Sequence, residues 1–204
     1  MAKKAKPVKR RAAPEKAPVP GRDYACSCNT LLALVLAFMF MAFAISSGII
    51  AGTFIYWMLV FAAMAFLAVE MYSWRKEPAR ITKAFLVGIF LLVFDFGFEN
   101  AGWILGLWQT HYASVAVGVV PVEIMLVCLI GGTAWALYMP RKFNQLQSTM
   151  DVLTFAMYGA FGEFMLIGAG LMTYYAWWNS WLAFAAYALT WVILQFVKYR
   201  VVKV

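Results

Sequence analysis

Six apolar stretches, each close to the length that crosses a bilayer, divide this chain. They fall at residues 30–50, 53–72, 82–107, 114–139, 152–173 and 177–197. About 20 apolar residues in a helix span the hydrocarbon layer. The pattern therefore predicts an all-α integral membrane protein of six transmembrane helices. Gly48 and Gly52 would allow the nearly direct connection between the first two spans to turn tightly. Residues 1–29 break the pattern: they are basic, Pro-rich and Ala-rich. Such a segment cannot bury a core and is expected to be a disordered tail, leaving residues 30–204 as the transmembrane domain. Its charged part is too long for a cleavable signal peptide.

Composition supports a membrane class. The chain is 65% hydrophobic and 13% charged, whereas soluble domains sit near roughly 45–50% and 25%. The net charge of +8 is explained by where it falls, so no nucleic-acid partner is expected. Basic residues crowd the tail, the loop holding Arg75, Lys76 and Arg80, the mouth of the third span at Lys83, the Arg141-Lys142 loop and the C-terminal Lys198, Arg200 and Lys203. The loops at 109–113 and 174–176 hold none. With six spans this puts every Lys and Arg on one side, which the positive-inside rule makes cytoplasmic, with both termini there and a multi-pass protein in the cell membrane. On the opposite side Trp108, Tyr112, Tyr174, Tyr175, Trp177, Trp178 and Trp181 read as an aromatic belt at the lipid interface.

Against this background a few polar positions stand out. Asp95, Glu99 and Asn100 lie inside the third span, Glu123 inside the fourth and Glu163 inside the fifth. Carboxyl groups at membrane depth are costly and mark functional sites or interhelical contacts. Asp95 and Glu99 are four residues apart and share a helix face, which Trp103 would continue. Counting from the span ends places Glu123 at about the depth of Glu99, with Glu163 near mid-span. Pro121 loosens the backbone just before Glu123, and Gly159 and Gly162 allow close approach near Glu163. No Lys or Arg lies in a span core to balance these acids, so at least one is expected to be neutral at pH 7. A neutral acid in an apolar room suits general-acid catalysis. The same acids could instead hydrogen-bond the helices together, together with Gln109, Thr133 and Tyr158. Glu70, near the cytoplasmic end of the second span, reads as structural, snorkelling or pairing with Arg75.

Three cysteines, Cys26, Cys28 and Cys128, do not form a disulfide framework. Cys26 and Cys28 at the edge of the first span could be lipidated or bind a metal, but unremarkable thiols fit as well. His111 is the only histidine, so a histidine-ligated metal or haem is not expected, and no cofactor is implied.

The stretch from Phe94 to Ile124 resembles the membrane lycopene cyclases of the heterodimeric or fused type. These carry an acid nine residues before the Trp of a Gly-x-Trp element, followed by Pro-x-Glu-Glu. Here the corresponding residues are Glu99, then Gly106-Leu107-Trp108, then Pro121-Val122-Glu123. Two positions depart from that pattern: the leading acid, usually Asp, is Glu99, and the second Glu is Ile124. The related carotenoid hydratases are similar in pairing an intramembrane Glu with a Pro at the start of the next span. The resemblance implies an apolar isoprenoid substrate drawn from membrane lipid and a reaction without net redox change. Protonation of a terminal double bond gives a carbocation, which closes a ring and loses a proton, or is captured by water. It further implies that Glu99 or Glu123 is the acid, that the other tunes it or takes the final proton, and that Trp103 or Trp108 faces the cation; the intramembrane polar positions add Asp95 as a catalytic candidate and Asn100 and Glu163 as substrate-lining ones.

Two other classes fit the residues. Intramembrane acids are natural in a proton-coupled transporter, although no inverted repeat or span-core cation is visible. A small multi-span chain with a basic tail also suits a non-catalytic subunit or assembly factor. Whether the chain acts as a homo-oligomer or with a second subunit is open at this level.

Overall fold

The computed structural model describes residues 35–36, 39–40, 43–44, 47–48, 52–111 and 115–204. The tail, Cys26, Cys28, Tyr112 and most of the span expected at 30–50 lie outside the described residues. What is described is mostly helical: α1 (Phe54–Ser73), α2 (Pro78–Ile104), α3 (Val122–Tyr138), α4 (Gln145–Gly168) and α5 (Ser180–Phe196), which runs on into a π-helical turn, Val197–Val202. Four of these are long and apolar enough to cross a membrane, and α3 is a shorter apolar helix.

Each helix end has a local cause. Pro78 opens α2 at a position where its missing N–H goes unused. The helix stops where Gly106 takes φ of 64°, a conformation glycine adopts without strain, while Leu107 N–H folds back onto Gly102 C=O at 2.9 Å. Asn144 and Asn179 cap α4 and α5, each side chain accepting backbone N–H groups of the first turn.

The fourth span differs from its expectation at 114–139. Its helix starts only at Val122, preceded by a hairpin of β2 (Ala116–Val117) and β3 (Val120–Pro121). Gly118 makes the turn with φ of 63°, and Pro121 is extended, with ψ of 135°. Proline cannot extend the helix backward into residues whose N–H and C=O groups are already paired across the hairpin. At 17 residues α3 is about 26 Å long, shorter than the roughly 30 Å hydrocarbon layer.

The described chain is also not purely helical in a second place. The segments read as plain loops at 109–113 and 174–176 contribute to an antiparallel ribbon of β1 (Trp108–Thr110) and β4 (Met172–Tyr174), in register Trp108↔Tyr174, Gln109↔Thr173 and Thr110↔Met172. Pairing satisfies backbone groups that would otherwise be buried unpaired. His111 N–H to Leu171 C=O at 2.7 Å and Tyr175 N–H to Leu107 C=O at 2.8 Å extend the ladder at either end.

Two cores lie at opposite ends of the helices. The ribbon end gathers Ala44, Ile55, Tyr56, Leu107, Trp108, Leu166, Leu171 and Met172. The other end gathers Val87, Leu91, Trp135, Leu137 and Leu194 with their small neighbours. Within this second core α2 and α3 touch backbone to backbone. A Cβ on Gly88 would lie 2.3 Å from Leu129 O, and one on Gly132 would lie 3.1 Å from Gly88 Cα. Small residues at such a crossing let apolar helices gain van der Waals contact where lipid offers no hydrophobic drive.

Candidate active site

Glu99 and Glu163, near the ribbon end, come from two helices and are held by aromatic donors on other elements. Glu99 on α2 accepts a hydrogen bond from Trp108 Nε1–H at 2.8 Å. Tyr174, the register partner of Trp108, donates its phenol O–H to Glu163 on α4. Tyr187 on α5 donates to the other Glu163 oxygen at 2.8 Å. Asp95 lies one helical turn below Glu99 against the Cys128 thiol of α3, and its Oδ2 is buried with no hydrogen-bond partner. Asp95, Glu99 and Glu163 are close enough to feel one another's charge.

Glycines make room for two of the donors. A Cβ on Gly102 would sit 2.0 Å from the Trp108 indole, and one on Gly159 would sit 2.5 Å from the Tyr187 ring. Each ring therefore lies flat on a helix backbone within one turn of the acid it serves. Around Trp108 the rings of Phe98 and Trp178 close in at centroid distances of 5.2 and 4.5 Å. Tyr174 lies on the ribbon, outside the helices. Burial, and next the Glu163 carboxyl, push its phenol well above the ordinary value, so it remains a donor.

The other predicted site residues are spread around this cluster. Glu123 is fully buried in the first turn of α3. It and Glu99 both lie within electrostatic reach of Tyr56, whose hydroxyl sits between Leu171 O at 3.0 Å and His111 O at 3.1 Å. Asn100 faces the hairpin: its Nδ2 donates to Phe96 O at 2.7 Å, and its Oδ1 is 3.0 Å from where a Cβ on Gly118 would be. Trp103 is 50% exposed on the outer surface of α2, away from Trp108. Trp177, Trp181 and Tyr175 are exposed as a belt would be, whereas Trp108 is buried.

Sequence reading did not single out Tyr56, Tyr174, Tyr187, Trp178 or Cys128 as site residues. Tyr187 carried a usable signal, since a phenol in the middle of an apolar span needs a partner. Tyr174 and Trp178 were hidden among the interface aromatics.

A second polar group lies at the opposite end, where all described lysines and arginines are found. Asp151 Oδ2 accepts Trp135 Nε1–H at 2.9 Å and Gln195 Nε2–H at 3.2 Å. Lys198, fully buried, donates to Pro140 O at 3.0 Å, and Arg80 donates to Leu137 O and Met139 O, both at 3.0 Å. Glu70 is buried here too, beside Trp74 and Arg80. The Arg75 side chain instead caps Tyr72 O. These groups close the end of the helices away from the ribbon and are remote from Glu99.

Among the described residues no three His, Cys, Asp or Glu side chains are grouped closely enough to hold a metal ion. No family model, curated protein or solved structure matches the chain, so the site is read from its own residues and geometry.

Proposed function

We propose that this chain is an intramembrane acid catalyst that cyclises or hydrates the end group of a linear isoprenoid or carotenoid. One observation carries the reading. Glu99 and Glu163, on separate helices, are held by the register-paired Trp108 and Tyr174, with the buried Asp95 Oδ2 beneath and no described Lys or Arg beside them. An apolar polyene already resides in the bilayer and would reach such a site from lipid.

In this proposal Glu99 is the acid. Its Oε2 is engaged by Trp108, which leaves Oε1 to carry the proton to a terminal carbon of the double bond. The π electrons form the new C–H bond and the positive charge appears on the neighbouring carbon. The faces of Trp108 and Phe98 stabilise a cation by their quadrupoles, and Glu163, fixed by two phenol donors, supplies a negative field. Ring closure moves the charge onto a second carbon, and Glu123 takes the proton lost as the new double bond forms. In the hydratase variant water attacks the cation and the added oxygen gives its extra proton to Glu123. No electrons are exchanged with a partner in either case. The proposal includes six spans with both termini cytoplasmic in the cell membrane.

The test is product formation from lycopene per unit of folded, detergent-extracted protein. Gln keeps the shape and most hydrogen bonds of Glu but cannot act as an acid. Glu99→Gln and Glu123→Gln are expected to leave folding intact and lower turnover by about 10²–10⁴-fold. Full activity in both variants would remove the catalytic reading.

A further inference from the structure

We propose that the inner ends of α4 and α5 form a binding site for an anionic phospholipid, with the phosphate at Arg141 and Arg200 and the upper acyl chain between the two helices. The site is separate from the acid cluster and does not rest on the proposed reaction.

A cavity of about 650 Å³ lies there. Arg141 and Arg200 stand at its polar end, no Asp or Glu among the described residues lines it, and the wall continues through Leu153, Val192 and Phe196. Those three are 46%, 54% and 61% exposed, so the cavity opens sideways to the region that acyl chains occupy. From Arg200 back to Val192 is eight residues of helix, roughly 12 Å, enough to bury the first part of a chain beneath its phosphate. Charge sorts the occupant. Arg141 is held in place by an ion pair with Glu77 and by stacking over Trp74 at 5.2 Å. Arg200 has no ion pair among the described residues. A guanidinium without a carboxylate at the headgroup level is a receptor for phosphate.

The deep wall adds a second, independent feature. Ser148 and Gln195 line the cavity, and Ser148 Oγ and Gln195 Oε1 are buried with no protein partner. The Gln195 amide cannot simply turn, because its Nε2 is tied to Ser148 O at 3.0 Å and to Asp151 at 3.2 Å. At that depth, just below the phosphate, lie the ester carbonyls of a phospholipid, one of which can accept from the Ser148 hydroxyl. The apolar wall favours a lipid over free phosphate, and the guanidinium groups favour a net anionic headgroup over the zwitterionic choline one.

Native mass spectrometry of the full chain in detergent, titrated with dioleoyl phosphatidylglycerol or dioleoyl phosphatidylcholine, tests this. The wild type should retain phosphatidylglycerol about fivefold better, the scale expected for one basic residue at the membrane surface. Arg200→Gln should erase the preference. Leu153→Trp, which fills the groove without touching charge, should weaken both lipids. Lys142→Gln removes an equal charge from the same face outside the cavity and should change nothing. Equal retention of the two lipids, or an effect of Lys142→Gln as large as that of Arg200→Gln, would overturn the proposal. So would displacement of phosphatidylglycerol by geranylgeranyl diphosphate at equal concentration, which would make the site one for a soluble prenyl phosphate.

Discussion

Trp108 and Tyr174 stand opposite each other in the short ribbon, and each donates to a different glutamate on a different helix. Opposed residues of an antiparallel pair project to the same face. The ribbon therefore fixes how far apart Glu99 and Glu163 can be.

If that relationship matters for chemistry, deleting a donor should lower activity without unfolding the protein. Trp108→Phe keeps a ring over Gly102 and loses the N–H, and Tyr174→Phe loses only the hydroxyl. Tyr174→Phe removes a hydrogen bond to the charged Glu163, worth about 1.5–3 kcal/mol, and should lose roughly 10- to 150-fold in turnover of a linear carotenoid, whereas Trp108→Phe removes one to the neutral acid Glu99, worth about 0.5–1.5 kcal/mol, and should lose roughly 2- to 10-fold. Gel filtration in detergent should show an unchanged monodisperse peak. Unaltered turnover in both would detach the ribbon from function.

The glycines give a stability prediction with its own controls. Gly102→Ala and Gly159→Ala push a methyl into the Trp108 and Tyr187 rings, and overpacking of this kind costs about 1–3 kcal/mol. Gly97 and Gly162 have nothing within 4 Å of a new Cβ. Alanine at either should leave the melting temperature unchanged or raise it slightly, since glycine weakens a helix. Thermal unfolding of the four variants in one detergent separates the two pairs.

Topology is checked by cysteine labelling from outside the cell, in a background lacking the native thiols. A cysteine at position 111, beside the ribbon, should react with an impermeant maleimide, and cysteines at 77 and 145 should not. Reaction at 77 would contradict the six-span arrangement.

The polar group at the end away from the ribbon predicts non-additivity. Asp151 and Lys198 lie within electrostatic reach of each other. Removing one leaves the other buried with less compensation. Asp151→Asn and Lys198→Met should each destabilise the protein, and the double variant should lose at least about 0.5 kcal/mol less than the two losses added together. Strict additivity in chemical unfolding would mean that the two groups act independently.

How much of this could be read from the chain depends on the range of the interaction. The helices α1, α2, α4 and α5 were legible because length and apolarity are local properties. Their exact ends were less so, as Pro78 and the cap at Asn144 extend α2 and α4 beyond the purely apolar runs. The hairpin at Ala116–Pro121 was not legible, since Val and Ala suit a buried strand as well as a membrane helix. Asp95 and Glu99 were placed on one face correctly by their spacing. Trp103 was not, because each four-residue step turns about 40° past a full circle, so two steps carry it about 80° from Asp95. Gly102, seven residues on from Asp95, falls about 20° from it on the other side, and it is there that Trp108 rests. The pairing of residues 108–110 with 172–174 joins segments more than sixty positions apart, and nothing in either segment announces the other.

The ribbon carries a consequence for the bilayer itself. Helices answer a thicker or thinner membrane by tilting and sliding, and acids mounted on helices alone would drift apart as they did so. Here the side chains that grip Glu99 and Glu163 are the two sides of a single rung of one short ladder, as jaws hang from the beam of a caliper. A change of lipid thickness can then lean the helices while the gap between the two acids keeps its setting.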